Sequence, residues 1–159
     1  MLKIDNGRIK RGKFELRNID LEIEKGKLTA IVGKNSSGKS SLLYTVAGTI
    51  PLVEGTIERY DSKIAFVGTE FPFNKRLDAE QIAELHLSIN QSLDKKVFYR
   101  YLEKFKIPKR KKTNELSTGQ QKLLNLALAL ASENDLLLLD EININIDANY
   151  NNGFLTNNI

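Results

Sequence analysis

At 159 residues, with no cysteine, one histidine and a formal net charge of +4, the sequence has room for one domain with a real core but holds no disulfide framework and no thiolate metal site. Its longest apolar stretch, Leu123 to Ala131, is interrupted by Asn125 and falls well short of the roughly 18 residues a membrane span needs. No basic region followed by an apolar segment opens the chain, so secretion is not expected.

Phe14, Leu16, Ile19, Leu21 and Ile23 alternate with polar residues ahead of a Glu24-Lys25-Gly26 turn, the period of antiparallel strands with one buried face. Leu28-Thr29-Ala30-Ile31-Val32 is nearly all apolar, which predicts a central strand covered on both faces. The next stretch, Gly33-Lys34-Asn35-Ser36-Ser37-Gly38-Lys39-Ser40-Ser41, fits the phosphate-binding pattern G-x-x-x-x-G-K-[ST] at every fixed position. Gly33 and Gly38 allow torsions and close approach that a Cβ would obstruct, so successive N–H groups can point inward at a polyphosphate. The helix that follows adds its positive end. Lys39 is then placed for the β- and γ-phosphates, the Ser40 hydroxyl for Mg²⁺ and Ser41 for the α-phosphate. A mere Gly/Ser turn is the weaker reading, given an apolar strand before it and Leu42, Leu43 and Val46 at helical spacing after it.

That helix is predicted from about Gly38 to Ala47, stopping at Gly48 with Pro51 beyond. A hairpin is expected next, Gly55 to Tyr60 and Lys63 to Val67, turned at Asp61-Ser62. From Asp78, placed to cap a helix, the period becomes helical, with Ala79, Ile82, Leu85 and Ile89 on one face. His86 reads as a surface or half-buried residue of that helix. Asp94 opens a second helix carrying Val97, Phe98, Tyr101, Leu102 and Phe105 and ending before Pro108, so that Phe73 to Lys112 forms an all-helical insert. The basic run Lys109-Arg110-Lys111-Lys112 lacks interleaved aromatics and reads as a solvated loop; nucleic acid is not an expected partner.

Gln121 to Ser132 is apolar nearly all round, a buried helix. Just before it, Leu116-Ser117-Thr118-Gly119-Gln120 offers a hydroxyl and free helix-end N–H groups as a second anion site, or Ser117 simply as an N-cap. Leu136 to Leu139 is a short apolar strand delivering Asp140 and Glu141 to its carboxyl end, where ligands of open α/β sheets lie. Asp140 suits Mg²⁺ held through water, and Glu141 the polarisation of an attacking water. From Asn143 onward asparagine dominates and periodicity is lost.

With these motifs in this order the sequence resembles the ATP-binding-cassette (ABC) ATPase family from about Leu2 to Asp147. Gly33 to Ser40 matches its Walker A motif, and Leu116 to Gln120 its L-S-G-G-Q signature, with Thr118 in place of the first glycine. Leu136 to Asp140 matches Walker B, Glu141 the catalytic glutamate and Asn145-Ile146-Asp147 the D-loop. The resemblance implies an α/β fold: a P-loop NTPase core with N-terminal antiparallel strands and the helical subdomain at about 73–115, one domain over 1–147 and a poorly ordered tail over 148–159. It implies ATP and Mg²⁺ as ligands, ATP hydrolysis, and a head-to-tail homo- or heterodimer in which Ser117, Gly119 and Gln120 of one subunit face ATP on the other's Lys39. A transmembrane permease subunit would then hold the protein peripherally at the cytoplasmic face of the cell membrane. The departures are as specific. Thr69 and Glu70 stand where the Q-loop glutamine should be, Ile142 replaces a proline, and Ile9-Lys10 fall where an adenine-stacking aromatic is usual, with Phe14 a weak substitute. The switch histidine would lie beyond Ile159, so a C-terminally shortened cassette is expected. A catalytically weak nucleotide-binding module and a non-transport ABC protein remain alternatives.

Overall fold

In the computed structural model, residues 2–59, 63–89 and 92–141 are described. They divide into two compact units that part between Ser62 and Lys63. The D-loop match, Ile142 and the asparagine-rich stretch lie outside the described residues.

Among the described residues the first unit is a three-stranded antiparallel sheet with one helix. Strands β1 (Leu2–Arg11), β2 (Phe14–Ile23) and β3 (Glu54–Arg59) lie in the order β2-β1-β3, so β1 is central. Leu2, Ile4 and Ile9 of β1 are buried, but their alternation is broken at Asn6, which takes a φ of 47° where the register shifts. Such a bulge moves every later side chain to the other face, which hides β1 from a strict period-two reading. Arg8 ties the sheet together, its guanidinium pairing with Glu15 of β2 and Glu54 of β3. Helix α1 (Lys39–Val46) lies against β1, burying Thr45 and Val46. Its C-terminal carbonyls, Thr45 and Val46, accept from Arg59 Nη2 at 2.7 Å and Nε at 3.2 Å, a cation on the negative end of the helix dipole.

Two expectations fail here. Leu28 to Val32 is not a strand; Leu28 is 75% and Val32 92% exposed. An apolar run makes a central strand only where neighbours accept its backbone hydrogen bonds on both sides, and the sheet of this unit is completed by β2, β1 and β3 without it. The second failure is the hairpin. β3 pairs with β1, whereas the strand from Ile64 pairs elsewhere and in parallel. Asp61-Ser62 carries no glycine for the positive torsions that two-residue hairpin turns need.

The second unit holds strands β4 (Ile64–Val67) and β5 (Leu136–Leu139), paired in parallel and in register from Ile64 with Leu136 to Val67 with Leu139. Between them in sequence run helices α2 (Ala79–Ile89), α3 (Lys95–Lys104) and α4 (Thr118–Ala131), with a 3₁₀ turn at Thr113–Glu115. Phe98 and Leu102 of α3, Ile82 and Ala83 of α2, and Leu124, Ala127 and Leu128 of α4 share one apolar cluster. Fully burying a side chain such as Phe98 contributes about 1.5–3 kcal/mol. Asp94 caps α3 as expected, its carboxylate accepting from the Lys96 and Val97 N–H groups, and the Asp94 N–H donates to Ala131 O, fastening α3 to the end of α4.

Asp78 also caps as expected, but the inward face of α2 is rotated. Ala79, Ile82 and Ala83 are buried while Leu85 and Ile89 are exposed. At roughly 100° per residue, positions 79, 82, 83 and 86 centre on one line and 85 and 89 lie off it. His86 therefore faces partly inward, and burial lowers its pKa below the ordinary histidine value.

Candidate functional site

The glycine-bounded loop keeps its expected form in the first unit. Ser36 has a φ of 62° and Gly38 of 99°, both left-handed, and the Ser37 N–H donates to Lys34 O at 3.2 Å. Turns of this kind line a concavity with main-chain N–H groups suited to anions. Gly38 serves as N-cap of α1, whose first main-chain bond runs from Leu42 N–H to Gly38 O at 2.9 Å. A Cβ on Gly33 would lie 2.8 Å from Ser37 Oγ, and one on Gly38 2.6 Å from Phe14 Cζ and 2.7 Å from Leu16 Cδ1. Glycine at 33 thus lets the loop fold tightly on Ser37, and glycine at 38 lets it lie close against Phe14 and Leu16 of β2.

Lys39 at the start of α1 is turned back over this loop. Its Nζ donates to the carbonyls of Gly33 at 2.9 Å and Lys34 at 2.7 Å. Lys34, Asn35, Ser36 and Ser37 are exposed, Ser40 is half-buried and Ser41 is buried. Phe14 lies with its ring edge against Gly38, beneath the loop.

In the second unit, Asp140 and Glu141 follow β5 directly, as the sequence predicts. The Asp140 N–H donates to Val67 O at 2.9 Å, extending the β4–β5 pairing by one bond. Asp140 is 5% exposed, and its carboxylate has no hydrogen-bond or ion-pair partner among the described residues. That donor chemistry fits a hard cation such as Mg²⁺, directly or through water. Glu141 is exposed with a φ of 49°, and its carbonyl accepts from Lys122 Nζ at 3.2 Å.

Ser117 is the N-cap of α4. Its Oγ accepts from the Gln120 N–H at 3.2 Å, while Gln120 Oε1 accepts from the Ser117 N–H at 3.1 Å, a reciprocal capping box. The bland reading of Ser117 is therefore realised, and Gln120 serves the cap. Ser117, Thr118 and Gly119 are nonetheless exposed, and a Cβ on Gly119 would meet nothing closer than Ser117 Oγ at 3.9 Å. The cap leaves this helix end open to a further anion.

The basic run is largely spent on internal partners. Lys109 Nζ lies 4.4 Å from the centre of the Tyr99 ring, Arg110 pairs with Glu80 at 3.2 Å and Lys112 with Asp78 at 3.2 Å. Burial alone would raise the Asp78 carboxyl, but the Gln81 main-chain N–H and the Lys112 ammonium outweigh it and hold the carboxyl below its usual pKa. Among the described residues no cluster of three or more His, Cys, Asp or Glu side chains could hold a metal ion, and no helix is long and apolar enough to cross a membrane. Lys122 and the bulge at Asn6 are absent from the sequence reading. An i, i+3 or apolar-face pattern does not flag a lysine that bonds a main-chain carbonyl.

The family model described as ABC transporter matches residues 16–143. The zinc import ATP-binding protein ZnuC of Ruegeria sp. (strain TM1040) is 34% identical over 86% of this chain and 55% of its own length. The chain spans about half the length of such curated relatives. Among solved structures, a putative ABC transporter ATP-binding protein from Pyrococcus furiosus aligns with a TM-score of 0.79 at 25% identity, over 93% of this chain and 78% of that one. A dimeric bacterial ABC transporter cassette aligns with a TM-score of 0.72 at 26% identity, over 88% and 73%.

Proposed function

We propose that this chain, which belongs to the ABC transporter family, binds Mg²⁺–ATP on the loop Gly33–Ser41 and hydrolyses it as the ATPase component of a transporter. The observation that carries the reading is that loop: left-handed turns at Ser36 and Gly38, close packing that glycines at 33 and 38 allow, and Lys39 and Ser40 at the first turn of α1. Phosphoryl transfer to water needs positioning and charge neutralisation more than covalent help.

In this reading Lys39, whose Nζ is turned over the loop beside the Gly33 and Lys34 carbonyls, offers its ammonium to the β- and γ-phosphate oxygens. Main-chain N–H groups of Lys34 to Lys39 hold the β-phosphate, and Ser41 the α-phosphate. Ser40 and Asp140 would each offer an oxygen donor to Mg²⁺, which when bound would neutralise phosphate charge. Glu141 would orient a water and take its proton as the water oxygen bonds to the γ-phosphorus and the bond from that phosphorus to the β,γ-bridging oxygen breaks, giving phosphate and ADP. Ser117 and Gly119, on the exposed start of α4, serve the nucleotide of a second subunit packed head to tail, a reading supported by the dimeric cassette this chain is similar to. A permease subunit would place the assembly at the cytoplasmic face of a membrane. Relatives named for zinc import make a metal-ion importer the first candidate to test.

The test is phosphate release and ATP binding measured on the same samples. Lys39→Ala should lose binding, and Glu141→Gln should bind ATP while kcat falls by about 10²–10⁴-fold, the usual worth of a general base. Hydrolysis unchanged in Glu141→Gln would remove that residue from the mechanism.

A further inference from the structure

We propose that Lys122 is a positioning residue for Glu141, holding its main chain in place while leaving its carboxylate free to act as the base. The inference rests on the ATPase reading above and deepens it.

The contact is made between two pieces of the second unit. Lys122 lies in the first turns of α4, the helix capped by Ser117, and its Nζ donates to the Glu141 carbonyl at 3.2 Å. Glu141 needs holding. Its φ of 49° is one that residues other than glycine seldom adopt, so the surroundings must impose it. On the amino-terminal side the Asp140 N–H is bound to Val67 O at 2.9 Å, and β5 is paired in register with β4. On the carboxyl-terminal side the fixed point is the carbonyl in the grip of Lys122. The left-handed turn is thus clamped between one bound N–H and one bound C=O.

The choice of atom is what makes this a device for catalysis. An ammonium resting on the Glu141 carboxylate would occupy the oxygens that are to meet the attacking water. Here the ammonium bonds the carbonyl instead, and among the described residues the carboxylate has no hydrogen-bond or ion-pair partner. Lysine has three donors and no acceptor, so it can satisfy a carbonyl without claiming a proton that the base is to receive. Because the same helix begins at Ser117, the clamp also joins the signature end of α4 to the carboxyl end of β5. A methionine in place of Lys122 keeps the stem and the helix propensity but has no donor, whereas arginine keeps a cationic donor.

The experiment compares Lys122→Met and Lys122→Arg with the unsubstituted 159-residue chain, by steady-state ATP hydrolysis and by amide hydrogen exchange over residues 139–141. In Lys122→Met we expect kcat to fall about ten-fold, equivalent to about 1.4 kcal/mol in the barrier. KM for ATP should stay within about two-fold, because the contact supports the transition state and not ground-state binding. Lys122→Arg should recover most of kcat. Exchange at 139–141 should quicken in Lys122→Met alone, and in a Glu141→Gln background the methionine should cost no further turnover. An unaltered kcat in Lys122→Met, a loss expressed only in KM, or equal losses in the arginine variant would overturn the proposal. If the unsubstituted chain turns over ATP no faster than Lys39→Ala, the ATPase reading fails by itself; the exchange comparison still decides whether Lys122 holds Glu141.

Discussion

Gly38→Ala separates two costs that the loop geometry keeps distinct. The first is torsional: at φ 99° an L-residue pays for a left-handed backbone, about 1–2 kcal/mol. The second is steric, since the new methyl would lie 2.6 Å from Phe14 Cζ and 2.7 Å from Leu16 Cδ1. Both of those atoms end half-buried side chains of β2 that can swing outward, so the steric part is the smaller, about 1 kcal/mol or less against the 1–3 typical of a closed core. The sum is about 2 kcal/mol, or about 4–8 °C in Tm for a chain of this size. Gly33→Ala is the control. Its φ is not left-handed and its only close neighbour is Ser37 Oγ at 2.8 Å, a hydroxyl that can rotate away, so the cost should stay below about 1 kcal/mol. Thermal and urea unfolding of both variants without nucleotide reads the difference. In a Phe14→Leu, Leu16→Ala background the steric part of Gly38→Ala should disappear and the torsional part remain. Equal stability of Gly38→Ala and Gly33→Ala would refute the reasoning, as would full rescue by the β2 substitutions.

Ser117 carries a cap and a proposed phosphate contact, and one substitution can divide them. Ser117→Asp should hold stability, because aspartate caps as well as serine, while its charge repels the partner's γ-phosphate and abolishes dimer-dependent turnover; Ser117→Ala should cost about 1 kcal/mol in urea unfolding. Asp78 predicts an acid-sensitive clasp. Its carboxyl is held below the usual pKa, so the stability it contributes is complete above the ordinary aspartate range and is lost as pH falls through the folded value. Asp78→Asn, which keeps an acceptor for the Gln81 N–H but loses the ion pair with Lys112, should cost about 1 kcal/mol at neutral pH and flatten the acid limb of the stability curve. An acid limb unchanged by Asp78→Asn would assign the sensitivity elsewhere.

What was legible in the sequence was whatever short-range chemistry decides. The loop from Gly33 to Ser41, the caps at Asp78, Asp94 and Ser117, and the strand that ends at Asp140 each depend on neighbours within a few residues, and each is found where the spacing puts it. What failed depends on partners far along the chain. Leu28 to Val32 has the composition of a central strand, but composition does not supply flanking strands. The expected hairpin joined two strands that belong to different sheets. The alternation of β1 was obscured by one bulged residue, Asn6. On α2, 85 and 89 of the expected set 79, 82, 85 and 89 lie roughly 70–110° around the helix from its buried line, which let Ala83 go unnoticed, while His86 is half-buried as its reading allowed. Lys122 was invisible for a different reason, since its partner is a carbonyl, and every residue has one.

The parallel pairing of β4 with β5 has a mechanical side. Four residue pairs in register, extended by the Asp140 N–H bond to Val67, make the two strands a single short bar. A displacement of the Asp140 end of β5 is delivered through hydrogen bonds to Val67 and so to the residues that follow it, Gly68, Thr69 and Glu70. Main-chain bonding of this kind does not depend on which side chain stands at position 69.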